Sequence, residues 1–310
     1  MVNDRMTTTE GSFPEIPLAD VSHIRRKWLD IPYASLSPAQ RLDIYLPDED
    51  NGPFPVVLHI HGGAFAIGDK SDIQMVSSLK GLERGYAVVS VNYRLSGEAI
   101  FPASLQDIKT AVRWLKANGK QYLLDIDRIA AFGGSAGGNL AAMICVTANV
   151  TEFDDPTLGN LNYPCNVQAA VDWFGPTDFL EMDEQQELNG FGDIIHDVAD
   201  SPESRYLGAK LSTVPAKVEI ANPMTYINNK MPPILIQHGR LDALVPVQQS
   251  IIFAEKLEKY VSPDHFEVDI LEGAGHDDPL FMTEENIQRV FSFLDKHLRS
   301  GTVSQNGVPL

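Results

Sequence analysis

Residues 129–140 read Ile-Ala-Ala-Phe-Gly-Gly-Ser-Ala-Gly-Gly-Asn-Leu, an apolar strand that runs through G-x-S-x-G into a helix. Glycines two residues on either side of a serine leave room for a strained strand-to-helix turn, which lifts the serine oxygen above the edge of a sheet. The positive end of the helix and the amide of Ala136 then face negative charge that develops near that oxygen. Ser135 is therefore the candidate nucleophile.

Apolar runs rich in valine and isoleucine recur along the chain, with helical patterns between them. This alternation predicts an α/β fold with a mostly parallel, twisted central sheet and helices on both faces. Apolar residues at helical spacing predict covering helices at 104–122 and 284–298. The predicted strands are 42–46, 55–60, 87–93, 129–132, 169–174, 234–237 and 266–271, with 24–31 as an antiparallel partner of the first.

The length of 310 residues, 44% of them apolar, suits a single catalytic domain, 1–310, around one sheet. Residues 1–32 are predicted to be an N-terminal extension. Residues 180–230 form an acidic, proline-containing insertion between two core strands, too long for a plain connection. Two interpretations stay open for it: a small cap over the active site, or a crossover helix with irregular flanks.

The formal net charge is −18, from 42 acidic and 24 basic side chains. Such a field repels phosphate backbones and anionic lipids, so nucleic acid is not an expected partner. No stretch approaches the ~20 apolar residues that span a bilayer, and residues 1–13 lack the apolar core of a signal peptide, so a cytoplasmic location is expected. Cys145 and Cys165 are expected to be reduced and structural.

A second predicted strand ends in the run His-Gly-Gly-Ala-Phe, residues 61–65. Residues without bulky side chains let main-chain N–H groups approach a substrate oxygen. The amides of Gly62, Gly63 and Ala64 are therefore predicted to form an oxyanion hole together with that of Ala136. The alternative is a plain tight turn, and the histidine of the run is expected to make structural hydrogen bonds.

A serine hydroxyl is a weak nucleophile at neutral pH and needs a base. His276 follows the last predicted strand in a glycine-containing loop, at the edge of the sheet where open α/β proteins place their active sites. Asp242 follows the preceding strand and is predicted to accept the imidazole N–H, with Asp172 and Asp178 as alternative acids. The chain order of Ser135, acid and histidine is that of the α/β-hydrolase fold.

Other residues carry weaker signals. Trp173 and Phe174 end a predicted strand, where they are interpreted either as walls of a substrate pocket or as ordinary core. Arg94 and Asp107 are interpreted as a structural ion pair. The oligomeric state stays open, with an exposed edge strand or the cap as the surface through which a homodimer would pair.

The chain resembles the hormone-sensitive-lipase-like esterases in the runs at 61–65, 133–137, 242–245 and 275–276. Asn-Tyr-Arg at 92–94 and Phe-Pro-Ala at 101–103 belong to the same resemblance. Arg-Leu-Asp-Ile-Tyr-Leu-Pro at 41–47 and Val-Asp-Trp-Phe-Gly-Pro at 171–176 are closer to the branch of bacterial feruloyl and acetyl-xylan esterases. The resemblance covers about residues 33–298. It implies a carboxylesterase with a serine triad, no cofactor and no metal, which acts on small to medium esters such as acetyl or feruloyl esters of sugars.

The chain departs from that pattern in two places. Ala64 stands where many lipase-like relatives carry a third glycine, which leaves the backbone role of the turn unchanged. Fewer residues precede the core than in relatives with a large N-terminal cap, so no double lid is expected. The competing interpretations are a serine peptidase of the same fold and a small-molecule receptor that has lost catalysis.

Overall fold

The computed structural model describes residues 16–48 and 50–299. Residues 1–15 of the predicted extension 1–32, which include the segment 1–13, lie outside the described residues. One eight-stranded sheet has the strand order β1-β2-β4-β3-β5-β6-β7-β8. The strands are β1 (Lys27–Pro32), β2 (Arg41–Tyr45), β3 (Phe54–Ile60), β4 (Ala87–Val91), β5 (Leu124–Gly134), β6 (Ala169–Trp173), β7 (Ile234–Gly239) and β8 (Phe266–Leu271).

The sheet is parallel from β4 to β8 and antiparallel at the other edge, where β1 pairs with β2 and β2 with β4. Every predicted strand is present, and the predicted antiparallel edge is confirmed. β5 begins five residues before the predicted 129–132 strand, and its pairing with β3 shifts register between Phe54 and Val56. An irregular, partly exposed start of this kind lacks the apolar run by which a buried strand is recognised.

Helices cover both faces of the sheet. They are α1 (Val76–Leu79), α2 (Ala103–Asn118), α3 (Ala136–Thr147), α4 (Met182–Asn189), α5 (Pro202–Leu207), α6 (Pro215–Ala221), α7 (Gln248–Tyr260) and α8 (Glu284–Leu298). Neighbouring strand residues point to opposite faces, so Leu58 packs with α2 and α3 whereas Val57 packs with α8. No helix among the described residues is long and apolar enough to cross a membrane.

The 180–230 insertion contains α4, α5 and α6 and connects β6 to β7. Its inner side chains, including Met182, Tyr206 and Val218, join the core cluster of the main sheet. Its outer loop exposes a run of apolar side chains, which are Leu188, Phe191, Ile194, Ile195 and Val198. The insertion is thus continuous with the core on one side and apolar on its outer side.

Gly137 lets α3 approach the end of β3. A Cβ added there would lie 2.0 Å from the carbonyl oxygen of Ile60, a distance that real side chains never reach. We expect Gly137→Ala to cost about 3 kcal/mol or more, because the main chains of β3 and α3 must separate. Urea unfolding measures this cost. Gly97→Ala is the matched control, since a Cβ at Gly97 meets nothing within 4 Å; an equal cost for both variants would contradict the packing argument.

Candidate active site

Ser135 lies at the turn between β5 and α3, with φ 56° and ψ −123°. A non-glycine residue at positive φ is strained by about 1–3 kcal/mol, and such strain is concentrated at functional sites. Two backbone hydrogen bonds hold the turn: Ser135 N–H donates to the Trp173 carbonyl at 2.8 Å, and Asn139 N–H donates to the Ser135 carbonyl at 3.0 Å. The predicted strand–turn–helix geometry around this serine is present.

The turn after β3 lies against the serine. A Cβ added to Gly62 would be 3.5 Å from the Ser135 Cβ, and Gly63 and Ala64 have φ values of 105° and 53°. Within the described residues, the amides of Gly63, Ala64 and Ala136 have no protein hydrogen-bond acceptor. Three main-chain donors on the two turns beside the serine are therefore without a partner among the described residues.

The structure removes Gly62 from the predicted group of oxyanion donors. Its N–H donates to Gln74 Oε1 at 2.8 Å. Gln74 is in turn held by Asp72, whose Oδ1 accepts the Gln74 N–H at 3.0 Å. Because a donor already paired inside the protein offers no free N–H to a substrate, Gly62 braces the turn instead.

His61, the first residue of that turn, makes structural contacts as expected. Its Nδ1 lies 2.8 Å from the Gly62 carbonyl oxygen, and its ring stacks on Tyr93 with the centroids 4.4 Å apart. Burial lowers the pKa of the His61 imidazole, which favours the neutral ring. A neutral, stacked imidazole of this kind fixes the turn.

Asp242 and His276 are brought together by the loops after β7 and β8. His276 Nδ1 lies 2.7 Å from Asp242 Oδ2. The other carboxylate oxygen of Asp242, Oδ1, accepts the N–H groups of Leu244 at 2.9 Å and Val245 at 2.8 Å. A carboxylate fixed in this way holds the imidazole with its other nitrogen, Nε2, directed away from the acid.

Asp242 is fully buried, and its electrostatic surroundings still favour the charged form. Burial acts to raise its pKa, but hydrogen bonds from His238 and His276 outweigh burial and hold the pKa well below its usual range. His238 Nε2 lies 3.3 Å from Asp242 Oδ2 and 2.9 Å from the Val245 carbonyl oxygen. The carboxylate therefore persists far below neutral pH.

The two alternative acids lie elsewhere. Asp172 is fully buried beneath the start of α3, where its Oδ1 accepts the Gly175 N–H at 2.9 Å and burial raises its pKa to about 7. Asp178 Oδ2 accepts from Asn222 Nδ2 at 3.2 Å, in the insertion. Neither carboxylate contacts His276, whereas Asp242 does.

Gly134, the residue before Ser135, and His276 lie against the same aromatic ring. The Phe174 ring centroid is 4.6 Å from that of His276, and a Cβ added to Gly134 would lie 3.1 Å from the Phe174 ring. Among the described residues, no hydrogen bond joins Ser135 to His276. Phe174 thus lies between the nucleophile turn and the base loop.

Trp173 and Phe174 are both buried, and both line a cavity beside the serine turn. Trp173 also packs in the core, where its Nε1 donates to Gln237 Oε1 at 2.6 Å. The cavity has a volume of about 360 Å³. Its other walls include Ile73, Gln74, Val76, Asp277 and Met282. A larger cavity of about 680 Å³ includes the free cysteines Cys145 and Cys165 in its wall and contains none of the predicted site residues.

Two further observations concern a buried ion pair and metal-binding groups. Arg94 forms a buried ion pair with Asp107, with Nη2 and Oδ1 2.8 Å apart, in agreement with the predicted structural role. Within residues 16–48 and 50–299, no group of three or more His, Cys, Asp or Glu side chains is arranged to hold a metal ion.

The sequence patterns did not identify Gln74 or His238 as parts of the site. His238 lies near the end of β7, four residues before Asp242, and this position was the available signal. Gln74 offers no signal, because it lies in a short 3₁₀ helix 12 residues after the glycine that it contacts.

A family model described as BD-FAE matches residues 42–257, from β2 into α7. The chain belongs to the BD-FAE family. The BD-FAE match includes Ser135 and Asp242 and ends before His276. The assignment of His276 as the candidate base therefore depends on its contact with Asp242 and on its position in the loop after β8.

Relatives of this BD-FAE protein include a probable carboxylic ester hydrolase, LipM, and the esterase LipQ, both from Mycobacterium tuberculosis. LipM is 34% identical over 74% of this chain and 51% of its own length. LipQ is 33% identical over 74% of this chain and 52% of its own length. The chain thus spans about half the length of these relatives.

A solved structure named as a truncated form of a carbohydrate esterase from gut microbiota has a TM-score of 0.81 and is 27% identical, with 92% of this chain and 100% of that chain covered. The BD-FAE chain shares with it the α/β-hydrolase fold, with the mostly parallel sheet described above.

Proposed function

We propose that this protein is a serine carboxylesterase. Its main support is the bond of 2.7 Å between His276 Nδ1 and Asp242 Oδ2, at the sheet edge that also carries the strained Ser135 turn. The names of its relatives, carboxylic ester hydrolase and esterase, agree with that chemistry. A peptidase or a receptor without catalysis has no comparable support.

In the proposed reaction, Ser135 Oγ attacks the ester carbonyl while His276 Nε2 accepts the hydroxyl proton. The hydrogen bond from Ser135 to His276, which the described structure does not contain, forms when substrate binds, as catalytic hydrogen bonds often do. His276 then donates that proton to the leaving alcohol, and Asp242 stabilises the imidazolium. A water molecule then attacks the acyl-enzyme while His276 Nε2 takes its proton, and His276 returns that proton to Ser135 Oγ as the carboxylic acid leaves.

The negative charge on the carbonyl oxygen is stabilised by main-chain donors. We propose the N–H groups of Gly63, Ala64 and Ala136 for this role, because they have no acceptor within the protein. Ala136 also begins α3, whose positive end adds a favourable field. No metal or cofactor is needed for this chemistry.

We propose that the cavity of about 360 Å³ receives part of the substrate, because its wall includes Gly134, the residue before Ser135, and Asp277, the residue after His276. That volume is at the lower end of the range for small-molecule pockets, roughly 300–1,000 Å³. Its apolar walls, with Phe174 and Met282 among them, suit a short acyl chain or one aromatic ring. We therefore propose small to medium esters as substrates, acetyl or feruloyl esters of sugars included, with the 180–230 insertion as a cap beside the entrance.

Hydrolysis of a p-nitrophenyl ester series from acetate to palmitate, together with methyl ferulate, tests this function. We expect turnover that is highest for short to medium acyl groups and falls for palmitate, because a cavity of this volume excludes a long chain. Activity that rises with chain length would contradict the proposed pocket. If no ester in the series is hydrolysed, the proposal that the protein is an esterase is refuted.

A further inference from the structure

The insertion and the loop that carries Asp242 are joined by polar contacts. We define the acid loop as residues 240–247 and the cap segment as residues 189–197. Asn189 and Gln248 exchange side-chain hydrogen bonds at the start of α7. At Gly192 the backbone lies so close to the acid loop that an added Cβ would be 2.5 Å from the Ala243 carbonyl oxygen. The cap segment therefore lies directly on the acid loop.

His196 makes the central contact of this interface. Its Nε2 lies 3.0 Å from the Leu244 carbonyl oxygen, and its Nδ1 lies 2.8 Å from Asp183 Oδ1. A carbonyl only accepts hydrogen bonds, so Nε2 must carry a proton. A carboxylate also accepts, and an imidazole donates from both nitrogens only as the imidazolium. The geometry therefore fits a charged His196 side chain held between the insertion and the acid loop.

Acidic side chains lie around the His196 ring. Burial acts to raise the pKa of Asp183, but the N–H groups of His196 and Asp197, both 2.9 Å from its oxygens, outweigh burial and lower the pKa. Glu203 of α5 is buried close by, and its Oε2 has no hydrogen-bond partner. Burial raises the pKa of Glu203, while the charge of His196 opposes that rise. His196 thus lies between the acid loop and two acidic side chains, Asp183 and Glu203.

One rigid peptide connects this cluster to the candidate triad. The carbonyl that accepts from His196 and the N–H of Val245 belong to the same peptide unit, the 244–245 peptide. Since a peptide unit is planar, the direction of its C=O fixes the direction of its N–H. That N–H donates to Asp242 Oδ1 at 2.8 Å, and Asp242 Oδ2 bonds His276. The hydrogen bonds run in series, so each one polarises the next.

We propose that His196 is a positioning residue for the candidate triad, acting on Asp242 through the 244–245 peptide. This inference rests on the proposed esterase function. The insertion then does more than border the entrance, because it orders the acid that orients the base. Movement of the cap segment away from the acid loop disorders Asp242 without moving Ser135.

The test compares kcat and KM of the full chain with p-nitrophenyl acetate. His196→Ala is expected to lower kcat about 10-fold with little change in KM, because a misplaced acid misorients the base and leaves substrate binding intact. His196→Gln keeps an amide donor toward Leu244 and is expected to retain most of kcat. Asn189→Ala is the matched control: it removes another contact of the cap segment, with an expected change of less than about twofold.

A double-mutant cycle separates positioning from general destabilisation. In an Asp242→Asn background, His196→Ala is expected to cause no further loss, because the carboxylate that it positions is absent. An equal loss in both backgrounds, or an unchanged kcat in His196→Ala alone, overturns the proposal. If His196→Ala does not fold, His196→Asn replaces it, since the shorter amide does not reach Leu244, and activity equal to that of His196→Gln overturns the proposal.

Proton NMR gives a readout that does not depend on turnover. The proton between His276 Nδ1 and Asp242 Oδ2, assigned by its loss in His276→Gln, is expected to broaden in His196→Ala and to stay sharp in His196→Gln. A resonance unchanged in both variants overturns the positioning role. Absence of ester turnover in the wild type refutes the proposed esterase function and not the positioning role. In that case the NMR resonance still decides whether His196 orders Asp242.

Discussion

Ser135→Ala is expected to lower kcat for p-nitrophenyl acetate by about 10⁴-fold or more, because no other group supplies the covalent intermediate. The remaining rate comes from the oxyanion donors and from binding, which the substitution leaves in place. KM is expected to change little. The thermal unfolding temperature is expected to be unchanged or slightly altered, since alanine adopts the turn with the same backbone strain as serine.

Ser292→Ala is the matched control for that substitution. Ser292 is exposed on α8, and within the described residues its hydroxyl oxygen accepts one hydrogen bond, from Gln288 Nε2 at 3.2 Å. The control is expected to keep wild-type kcat and KM. Ser135→Ala with wild-type activity would contradict the assignment of the nucleophile, and equal losses in both variants would point to a fault in folding. Mass spectrometry with a phosphonate ester adds a direct check, since the wild type alone is expected to gain the adduct on Ser135.

The sequence predicts the central sheet well because buried parallel strands are continuous apolar runs. β3 and β6 are buried at every position, and both were recognised from their valine- and alanine-rich stretches. The candidate site follows from the same pattern, since Ser135, Asp242 and His276 each come just after such a run. Strand ends at one edge of a parallel sheet lie together, so their order along the chain suffices to bring the loops together.

α7 is harder to recognise because polar residues fill part of its buried face. Gln249 and Ser250 are buried together with Phe253 and Leu257. Gln249 Oε1 accepts the Thr177 N–H at 2.7 Å, and Ser250 Oγ lies 2.7 Å from His238 Nδ1. An amphipathic pattern counts apolar residues, so a helix that buries hydrogen-bonded polar groups escapes it. These bonds are long-range in sequence and become visible only in the folded chain.

The role of Gln74 and the contacts of the cap segment are unpredictable for the same reason. Gln74 lies on a short 3₁₀ helix without periodicity, yet it takes the Gly62 amide out of the oxyanion group. His196 lies in an irregular loop, and its partners Asp183 and Leu244 are 13 and 48 residues away in the sequence. Such pairs depend on how the insertion packs, which no local pattern encodes.

Asp242→Asn is expected to lower kcat by about 10⁴-fold, the second of the largest effects. The hydrogen-bond donors around this carboxylate point at one or other of its oxygens: the amides of Leu244 and Val245 at Oδ1, and His276 at Oδ2, which His238 also approaches at 3.3 Å. An asparagine puts an NH₂ group at one of these two places. In either orientation, donor then faces donor at distances of 2.7–2.9 Å.

The orientation with NH₂ toward His276 is the lower in energy, because it keeps both short bonds from the backbone of Leu244 and Val245. It loses the bond from His276 and the longer contact of 3.3 Å from His238, whose Nε2 also lies 2.9 Å from the Val245 carbonyl oxygen. The imidazole then relieves the clash by moving its proton from Nδ1 to Nε2. An Nε2–H faces Ser135 as a donor and accepts no proton, so the base is lost while the fold persists. The kcat/KM of the variant is expected to recover partly at high pH, where hydroxide replaces the missing base.

Asp178→Asn distinguishes this mechanism from the alternative acid. Asp178 is bonded to Asn222 and does not contact His276, so its amide is expected to leave kcat within about twofold of wild type. A 10⁴-fold loss of kcat in Asp178→Asn, together with an active Asp242→Asn variant, would instead assign the role of the acid to Asp178, which follows β6. We expect instead that Asp178→Asn stays active and Asp242→Asn loses activity. The reason is the distance of 2.7 Å between His276 Nδ1 and Asp242 Oδ2, since the carboxylate that bonds a base is the one that orients it.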